Sequence, residues 1–275
     1  MEHIKPFLKW AGGKLKLVDN ITTFFPPHSI RYIEPFVGAG SVALNVKSSA
    51  SIINDANPDL INVWRIIQKY PEELIRQCIP LFSGKFYNEI SYYKLRDEFN
   101  ARTASKIRHA AIFVYLNKHG FNGLCRYNLN NEFNVPIGKF KTISFDPDNL
   151  REISKKIKRW MITNQNYSHS IQTAGEGDIV YCDPPYIPDE QVKVSFNRYS
   201  KDSFTIDNQI QLAKLAAASS KRGATVIISN NDTPYSRELY SKLGANLSFV
   251  SVQRNISCNG EFRHKASELV AVFSP

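Results

Sequence analysis

Short apolar segments alternate with stretches of helical periodicity towards both ends of this 275-residue chain. Short apolar runs bounded by turn residues predict buried strands, whereas apolar residues three and four positions apart predict helices. The predicted strands cover residues 31–37, 51–55, 178–182, 224–229, 247–252 and 269–273, with a further short strand near Tyr167. Right-handed connections would place them in one sheet with helices on both faces. The pattern therefore predicts an α/β fold.

The predicted helices of these end segments connect the strands. Three of them cover residues 42–46, 210–219 and 235–243. A fourth would bury Leu17, Ile21 and Phe24, and a fifth Ile153, Ile157 and Trp160. Between residues 57 and 144 helical periodicity dominates, and a polar, aromatic-rich segment then turns at Asn130–Asn131, which predicts a β-hairpin. The sequence thus predicts a sheet unit, residues 1–56 and 145–275, divided by a mainly helical insert, residues 57–144, that bears the hairpin.

Charge is concentrated in this insert. The whole chain has a formal net charge of +10, and the insert alone holds 13 Lys and Arg against 7 Asp and Glu. A basic surface favours an anionic partner. A solvated basic face is the alternative, but interleaved arginine, asparagine and aromatic residues suit contacts with bases better.

Several classes of protein are disfavoured by composition. No stretch approaches the roughly 20 apolar residues that span a membrane, and the first residues lack the plan of a signal peptide. The four cysteines, Cys78, Cys125, Cys182 and Cys258, include no CxxC pair. We therefore expect reduced thiols, no metal site, no membrane partner and a cytoplasmic location.

One predicted strand stops at an unusual sequence, Asp178-Ile179-Val180-Tyr181-Cys182-Asp183-Pro184-Pro185-Tyr186. Proline cannot donate to a sheet ladder, so the strand must end at Asp183. A carboxylate, a row of carbonyls without amide partners and an aromatic ring then stand at the carboxyl edge of the sheet, where ligands bind in open α/β folds. Carboxylate and carbonyl can accept both hydrogens of one amino group, and the ring can stack on a base. This loop predicts a site for an exocyclic amine.

Two glycine turns and one acid precede this loop in the chain. Trp10 and Lys14 flank Gly12-Gly13, where the backbone can approach a ligand or simply turn tightly before a helix. The first strand leads into Gly38-Ala39-Gly40, the beginning of a Rossmann-like unit. Asp55 ends the second strand, where an acid commonly binds ribose hydroxyls or caps the next helix.

Three motifs in fixed order resemble the Dam family of DNA adenine-N6 methyltransferases: residues 9–14 (KWAGGK), 34–41 (EPFVGAGS) and 183–186 (DPPY). The resemblance continues through 123–128, 133–136 and 257–260. It implies a Rossmann-like sheet that uses S-adenosylmethionine and releases S-adenosylhomocysteine, with residues 57–144 as the target-recognition domain. The implied cofactor positions are Trp10, Lys14, Glu34, Phe36, Gly38, Gly40, Asp55 and Asp183.

The resemblance also implies a duplex DNA substrate, an adenine target within GATC, and a set of DNA contacts. Phe121 and Asn122 match an aromatic–Asn pair inserted into the duplex, although the family's usual aromatic residue is tyrosine. Arg126 would read a guanine and Lys9 the outer guanine. Leu124 and Pro136 would contact a thymine methyl group or merely pack the hairpin. Asn128 and Asn134 are candidates for base or phosphate contacts, and Arg254, Arg263, His264 and Lys265 form a second basic patch, on phosphates or in a solvated loop.

The expected mechanism assigns catalysis to Asp183, Pro184, Pro185 and Tyr186. The acid and the Pro184 carbonyl would accept the two amine hydrogens of a flipped-out adenine, with Tyr186 stacked on the base. This requires the carboxylate to face the cofactor pocket rather than a buried cation. Two alternatives are a methyltransferase for RNA or protein glutamine, and a DNA-binding protein without catalysis. We expect a nucleoid-associated monomer.

Overall fold

The computed structural model describes residues 3–48, 50–139, 143–186, 204–252 and 266–275. Its seven strands form one sheet with the order β3-β2-β1-β4-β5-β7-β6. The strands are β1 (Tyr32–Glu34), β2 (Ser51–Asn54), β3 (Met161–Thr163), β4 (Ile179–Cys182), β5 (Thr225–Asn231), β6 (Asn246–Val252) and β7 (Ala266–Phe273). Strands β1 to β5 are parallel, and β7 is antiparallel to both β5 and β6. The predicted α/β sheet is therefore present.

Nine helices are described: α1 (Val18–Thr22), α2 (Pro58–Lys69), α3 (Pro71–Leu81), α4 (Glu89–Ala101), α5 (Lys106–His119), α6 (Pro147–Ile157), α7 (Tyr167–Gln172), α8 (Ile206–Ser220) and α9 (Pro234–Lys242). Single 3-10 turns lie at Leu15–Leu17, Ala43–Asn45, Gly84–Phe86 and Phe121–Gly123. Side-chain caps set several helix starts, because a polar side chain satisfies amides that have no partner inside the helix. Asn57 caps α2 in this way, and Thr205 and Thr233 form capping boxes on α8 and α9.

Three local predictions were wrong. The first strand ends at Glu34 rather than residue 37, because Pro35 has no amide to donate. A single turn at Ala43–Asn45 replaces the helix predicted for 42–46. Tyr167 begins α7, and the short strand instead lies at Met161–Thr163.

The predicted hairpin is present, but its two arms meet at isolated bridges rather than in a continuous ladder. Within residues 120–138, two isolated antiparallel bridges join Gly120 to Ile137 and Tyr127 to Phe133. We call this segment the recognition hairpin. The turn is made near Asn131, whose φ is +62°.

The hydrophobic core runs without interruption from the sheet into helices α2 to α5. Trp64, fully buried in α2, donates its indole N–H to the Gly38 carbonyl at 3.0 Å. The proposed division into residues 57–144 and the remainder stays a prediction, since packing alone draws no boundary at residue 57. The five parallel strands all end at one edge, and the cleft described below opens there.

Candidate active site

A cleft of about 1150 Å³ opens at the carboxyl ends of the parallel strands. Its volume exceeds that of most single small-molecule sites, so it can hold a cofactor together with a second ligand. Its lining is formed by residues 10–14, 34–42, 54–56, 123–125, 164–167 and 183–186, with Tyr181 of β4, Phe204, which precedes α8, and Asn208 in the first turn of α8. All the predicted catalytic and cofactor-binding residues, and Leu124 among the DNA candidates, are part of this lining.

The loop after β4 is fixed by its prolines and by one buried amide. Strand β4 is buried throughout and ends before Asp183; Pro184 is buried and Pro185 exposed. The Gln209 side chain donates to the Pro185 carbonyl at 2.6 Å, and its own oxygen accepts from Asn230. The prediction that the carbonyls of this loop have no amide partners is therefore wrong at Pro185. The bond from Gln209 instead holds the loop in place.

Lys14 lies at the centre of a buried network. Its ammonium is 2.9 Å from the Asp183 carboxylate and 3.3 Å from that of Glu268, and it donates to the Gly12 carbonyl and the Tyr186 hydroxyl. Tyr186 in turn donates to Glu268 at 2.5 Å. Both hydrogen bonds of Tyr186 are made at its hydroxyl. The Lys14 ammonium also lies over the Tyr186 ring, 4.7 Å from the ring centroid.

We expected the Asp183 carboxylate to face the cleft and not to pair with a buried cation, and the second part of this expectation is wrong. Asp183 lines the cleft, but one of its oxygens is paired with Lys14, whose side chain is 5% exposed. A carboxylate has about four lone-pair positions, so this bond leaves others for a ligand. The Asp183 side chain remains 21% exposed towards the cleft.

Burial and charge oppose each other at Asp183. Burial is the largest influence and raises its pKa to about 6, while the Lys14 ammonium acts to lower it and Glu268 to raise it. Burial also acts to lower the pKa of Lys14, but Asp183 and Glu268 outweigh burial and hold it above its ordinary value. At neutral pH, Asp183 is therefore mostly a carboxylate that is neutralised by a fixed cation.

The glycine turn after β1 brings the backbone close to the cleft. Gly38 and Gly40 have φ values of +48° and +74°, and an added Cβ would lie 2.5 Å from Trp10 and 2.7 Å from Trp64. Only glycine fits such positions without rearrangement. The Asp55 carboxylate accepts from the Gly38 amide at 3.0 Å. Asn57, and not Asp55, caps α2, so the capping alternative for Asp55 is wrong.

Glu34 and Phe36 line the same part of the cleft in different ways. Glu34 is 3% exposed, its carboxyl group accepts from the Tyr32 hydroxyl at 2.6 Å, and burial raises its pKa to about 8. Phe36 stacks on Tyr167 with ring centroids 5.2 Å apart and meets Phe204 edge-on. Phe36 thus offers an apolar wall to a ligand, whereas Glu34 is engaged by the protein.

The recognition hairpin adjoins the cleft and has two faces. Because Tyr127 opposes Phe133, alternate residues point to opposite sides. The inner face carries Cys125, Tyr127, Phe133 and Val135, and the outer face carries Arg126, Asn128, Glu132 and Asn134. On the inner face Phe133 and Val135 are fully buried. On the outer face Arg126 donates to Asn134 at 2.8 Å, and Asn128 to Glu132 at 2.8 Å.

The remaining DNA candidates surround the base of this hairpin. Phe121 is 50% exposed, and Asn122 has a positive φ of 52°. Pro136 is exposed and accepts from the Phe121 amide at 2.9 Å. The Lys9 ammonium donates to the Lys118 carbonyl at 3.0 Å, and its side chain packs on Gly123. The second basic patch, Arg254, Arg263, His264 and Lys265, and the motif at 257–260 lie outside the described residues.

Comparison with known proteins identifies the family. Residues 10–256 match the D12 class N6 adenine-specific DNA methyltransferases. The DNA adenine methylase of Haemophilus influenzae is 43% identical over 98% of this chain and 93% of its own length. That of Escherichia coli K12 is 40% identical over 100% of this chain and 97% of its own. The chain belongs to the D12 class of N6 adenine-specific DNA methyltransferases.

Membership confirms the resemblance seen in the motifs and the Rossmann-like methyltransferase sheet. It places the activity on adenine in DNA, rather than on RNA or protein glutamine. The rRNA methyltransferase aviRa from Streptomyces viridochromogenes overlays with a TM-score of 0.40 at 10% identity, covering 98% of this chain and 90% of that chain, a likeness too distant to bear on function. In the described part of this methyltransferase, no helix is long and apolar enough to cross a bilayer. Over the same ranges, no cluster of His, Cys, Asp or Glu could hold a metal ion.

Sequence reasoning missed several residues of the methyltransferase cleft. Glu268 is the single charged residue of β7, directly before the apolar run 269–273, and that pattern could have marked it. Gln209 lies in the first turns of α8 beside other polar residues, such as Asn208 and Gln211, so its burial gives no signal in the sequence. Tyr167 and Phe204 come together with Phe36 only through the fold, so no local pattern could have found them.

Proposed function

We propose that this enzyme transfers a methyl group from S-adenosylmethionine to N6 of a flipped-out adenine within GATC in duplex DNA. One observation carries the proposal. The Asp183 carboxylate, held by Lys14, and the recognition hairpin line the same cleft, so a base-reading element adjoins a site for an exocyclic amine. A methyltransferase for single nucleosides would not need such a hairpin.

The cleft has the groups that the methyl donor requires. The Asp55 carboxylate suits the ribose hydroxyls of S-adenosylmethionine, and Phe36 and Tyr167 suit the adenine ring of that donor. The turn at Gly38 and Gly40 lets the backbone approach the donor's methionine moiety. Trp10, packed against Gly38, would support that turn. When bound, S-adenosylmethionine supplies a methyl group on a sulfonium, so that the carbon–sulfur bond breaks as N6 forms its new bond and the thioether leaves.

Asp183 and Pro184 act on the nucleophile. The lone pair of adenine N6 is delocalised into the ring, and hydrogen bonds from its two N–H groups to the Asp183 carboxylate and the Pro184 carbonyl favour a more pyramidal nitrogen. These bonds strengthen as positive charge develops on N6, so they stabilise the transition state more than the ground state. Lys14 keeps Asp183 ionised for this task. One N6 proton then passes to water.

The adenine must leave the duplex to reach this loop, because its N6 is inaccessible inside the helix. Tyr186, held through its hydroxyl, would stack on the extruded base with the ring face opposite the Lys14 ammonium. Unstacking costs a few kcal/mol, which contacts to the remaining helix must offset. Phe121 and Asn122 are suited to fill the gap, since Phe121 is exposed beside the cleft-lining Gly123.

The outer face of the recognition hairpin is suited to read sequence. The Arg126 guanidinium matches the two major-groove acceptors of guanine, and Leu124 and Pro136 can contact a thymine methyl group. Asn128 and Asn134 can contact bases or phosphates. Lys9 packs on Gly123 at the base of the hairpin and would contact the outer guanine. We further expect the protein to act as a monomer in the cytoplasm, associated with the nucleoid.

Arg126→Ala tests the assignment of base readout. We expect methylation of the correct site to fall by about 1–3 kcal/mol in transition-state stabilisation, with relaxed choice at one base pair only. The measurement is kcat/KM on GATC duplexes in which each base pair is changed in turn, with the exposed Arg76→Ala as a matched control. An equal loss on all duplexes, with a reduced salt dependence of binding, would assign Arg126 to a phosphate instead.

The proposal as a whole is tested with purified protein, S-adenosylmethionine and a GATC-containing duplex. The product should resist a nuclease blocked by adenine methylation at GATC and be cut by one that requires it. Duplexes without GATC, single-stranded RNA and a glutamine peptide serve as controls. Equal labelling of GATC-free DNA would refute the proposed specificity for GATC. Labelling of RNA or peptide, without labelling of DNA, would refute the proposed function.

A further inference from the structure

Asp59, in the first turn of α2, binds three surrounding elements. It is 4% exposed and accepts hydrogen bonds from Tyr127 at 2.8 Å, from His109 of α5 at 2.9 Å and from Arg102, at the end of α4, at 3.0 Å. Burial acts to raise the pKa of Asp59, but these three donors outweigh it and lower the pKa to about 2. The carboxylate is therefore a permanently charged anchor, and Tyr127 is the one partner that belongs to the inner face of the recognition hairpin.

The neighbouring Asn57 makes a second attachment to the same face. Its side-chain oxygen caps α2, and its amide donates to the Cys125 sulfur at 3.3 Å. Cys125 and Tyr127 are thus fastened to residues 57 and 59, respectively. Since side chains alternate along an extended segment, these two attachments fix the residue between them, Arg126, on the opposite face.

The anchoring segment begins in the cofactor cleft. Asp55 lines the cleft, and its carboxylate accepts from the Asn57 amide at 2.9 Å. Five consecutive residues, 55–59, therefore contact the glycine turn at one end and the hairpin at the other. Arg102 extends the attachment to the hairpin tip, since it also donates to the Asn131 carbonyl at 3.3 Å.

We propose that Asp59 is a positioning residue for sequence specificity, which sets through the Tyr127 hydroxyl where Arg126 stands relative to the cleft. This inference rests on the proposed function, because it requires the outer face of the hairpin to read DNA. The bond to a hydroxyl next to the reading residue is what couples the cleft to the hairpin.

Tyr127→Phe is the sharpest test, because it removes one hydroxyl and keeps the ring that meets Phe133 edge-on. Tyr115→Phe is the matched control: it removes a buried hydroxyl that donates to the Phe86 carbonyl at 2.7 Å, outside the hairpin. We measure methylation rates on a GATC duplex and on the duplex altered at the base pair to which Arg126→Ala is most sensitive. The ratio of the two rates should fall by about tenfold in Tyr127→Phe and stay unchanged in Tyr115→Phe.

The outcomes separate the two proposals. A wild type that methylates no duplex would overturn the proposed function and this inference with it. A wild type that discriminates, alongside a Tyr127→Phe variant with the same ratio, would overturn the inference alone. Thermal unfolding shows whether each variant is folded. Asp59→Asn retains the shape of the side chain, and in the folded variant the ratio of the two methylation rates should fall as it does in Tyr127→Phe. An equal fall in Tyr115→Phe would show that any buried hydroxyl matters and would also refute the positioning role.

Discussion

Asp183→Asn should lower the rate of methyl transfer by about 10²- to 10³-fold while binding of duplex DNA is retained. The amide has nearly the same shape, but it carries no charge and can present an N–H where the adenine amine needs an acceptor. Single-turnover kinetics with saturating S-adenosylmethionine and a GATC duplex measure the chemical step directly.

The control for this variant is Asp207→Asn, which makes the same chemical change on an exposed residue next to the cleft-lining Asn208. It should leave the rate unchanged. DNA affinity, measured by fluorescence anisotropy at a stated salt concentration, should be the same in both variants. Turnover of Asp183→Asn close to that of the wild type would refute the polarising role of the carboxylate.

Lys14→Gln should move the acidic limb of the pH–rate profile upwards by about one to three pH units. Asp183 must be ionised to accept the amine hydrogens, so the wild-type rate should fall as the pH drops through its pKa of about 6. The Lys14 ammonium acts to lower that pKa, and its removal therefore raises it. At pH 7, between about half and nearly all of the Asp183 in the variant is then protonated and inactive, and the rate recovers at higher pH.

Glu268→Gln provides a test of opposite sign. Glu268 acts to raise the pKa of Asp183, so its neutralisation should move the same limb downwards. Lys16→Gln, an exposed lysine two positions beyond Lys14, should leave the profile in place. Shifts of the same sign in Lys14→Gln and Glu268→Gln would contradict an electrostatic role and indicate a general disturbance of the cleft.

The sheet and the cleft lining could be predicted because their signals are local. The strand that ends at Asp183, the turn at Gly38 and the acid at Asp55 each follow from neighbouring residues, and the fold brings their loops to one sheet edge. The sequence did not predict that β7 would lie antiparallel between β5 and β6. The rule of right-handed crossovers applies only to parallel strands, so it says nothing about how an antiparallel strand is placed.

The pairing of Asp183 with Lys14 could not be predicted, because 168 intervening positions separate the two residues and no periodicity relates them. The sequence indicated that both residues belong to the cleft, but not that they contact each other. The same limit applies to Glu268 and Gln209, which reach the loop from β7 and α8. Contacts of this kind depend on how the strands are ordered in the sheet, and that order is a property of the whole chain.

The central claim is that Asp183 and the Pro184 carbonyl hold the amine of an extruded adenine. A crystal structure with a GATC duplex and S-adenosylhomocysteine tests it most directly. The account predicts an adenine outside the helix, with N6 about 2.7–3.2 Å from both the Asp183 carboxylate and the Pro184 carbonyl. An adenine that stayed stacked in the duplex, or whose N6 lay beyond hydrogen-bond distance of Asp183, would contradict it.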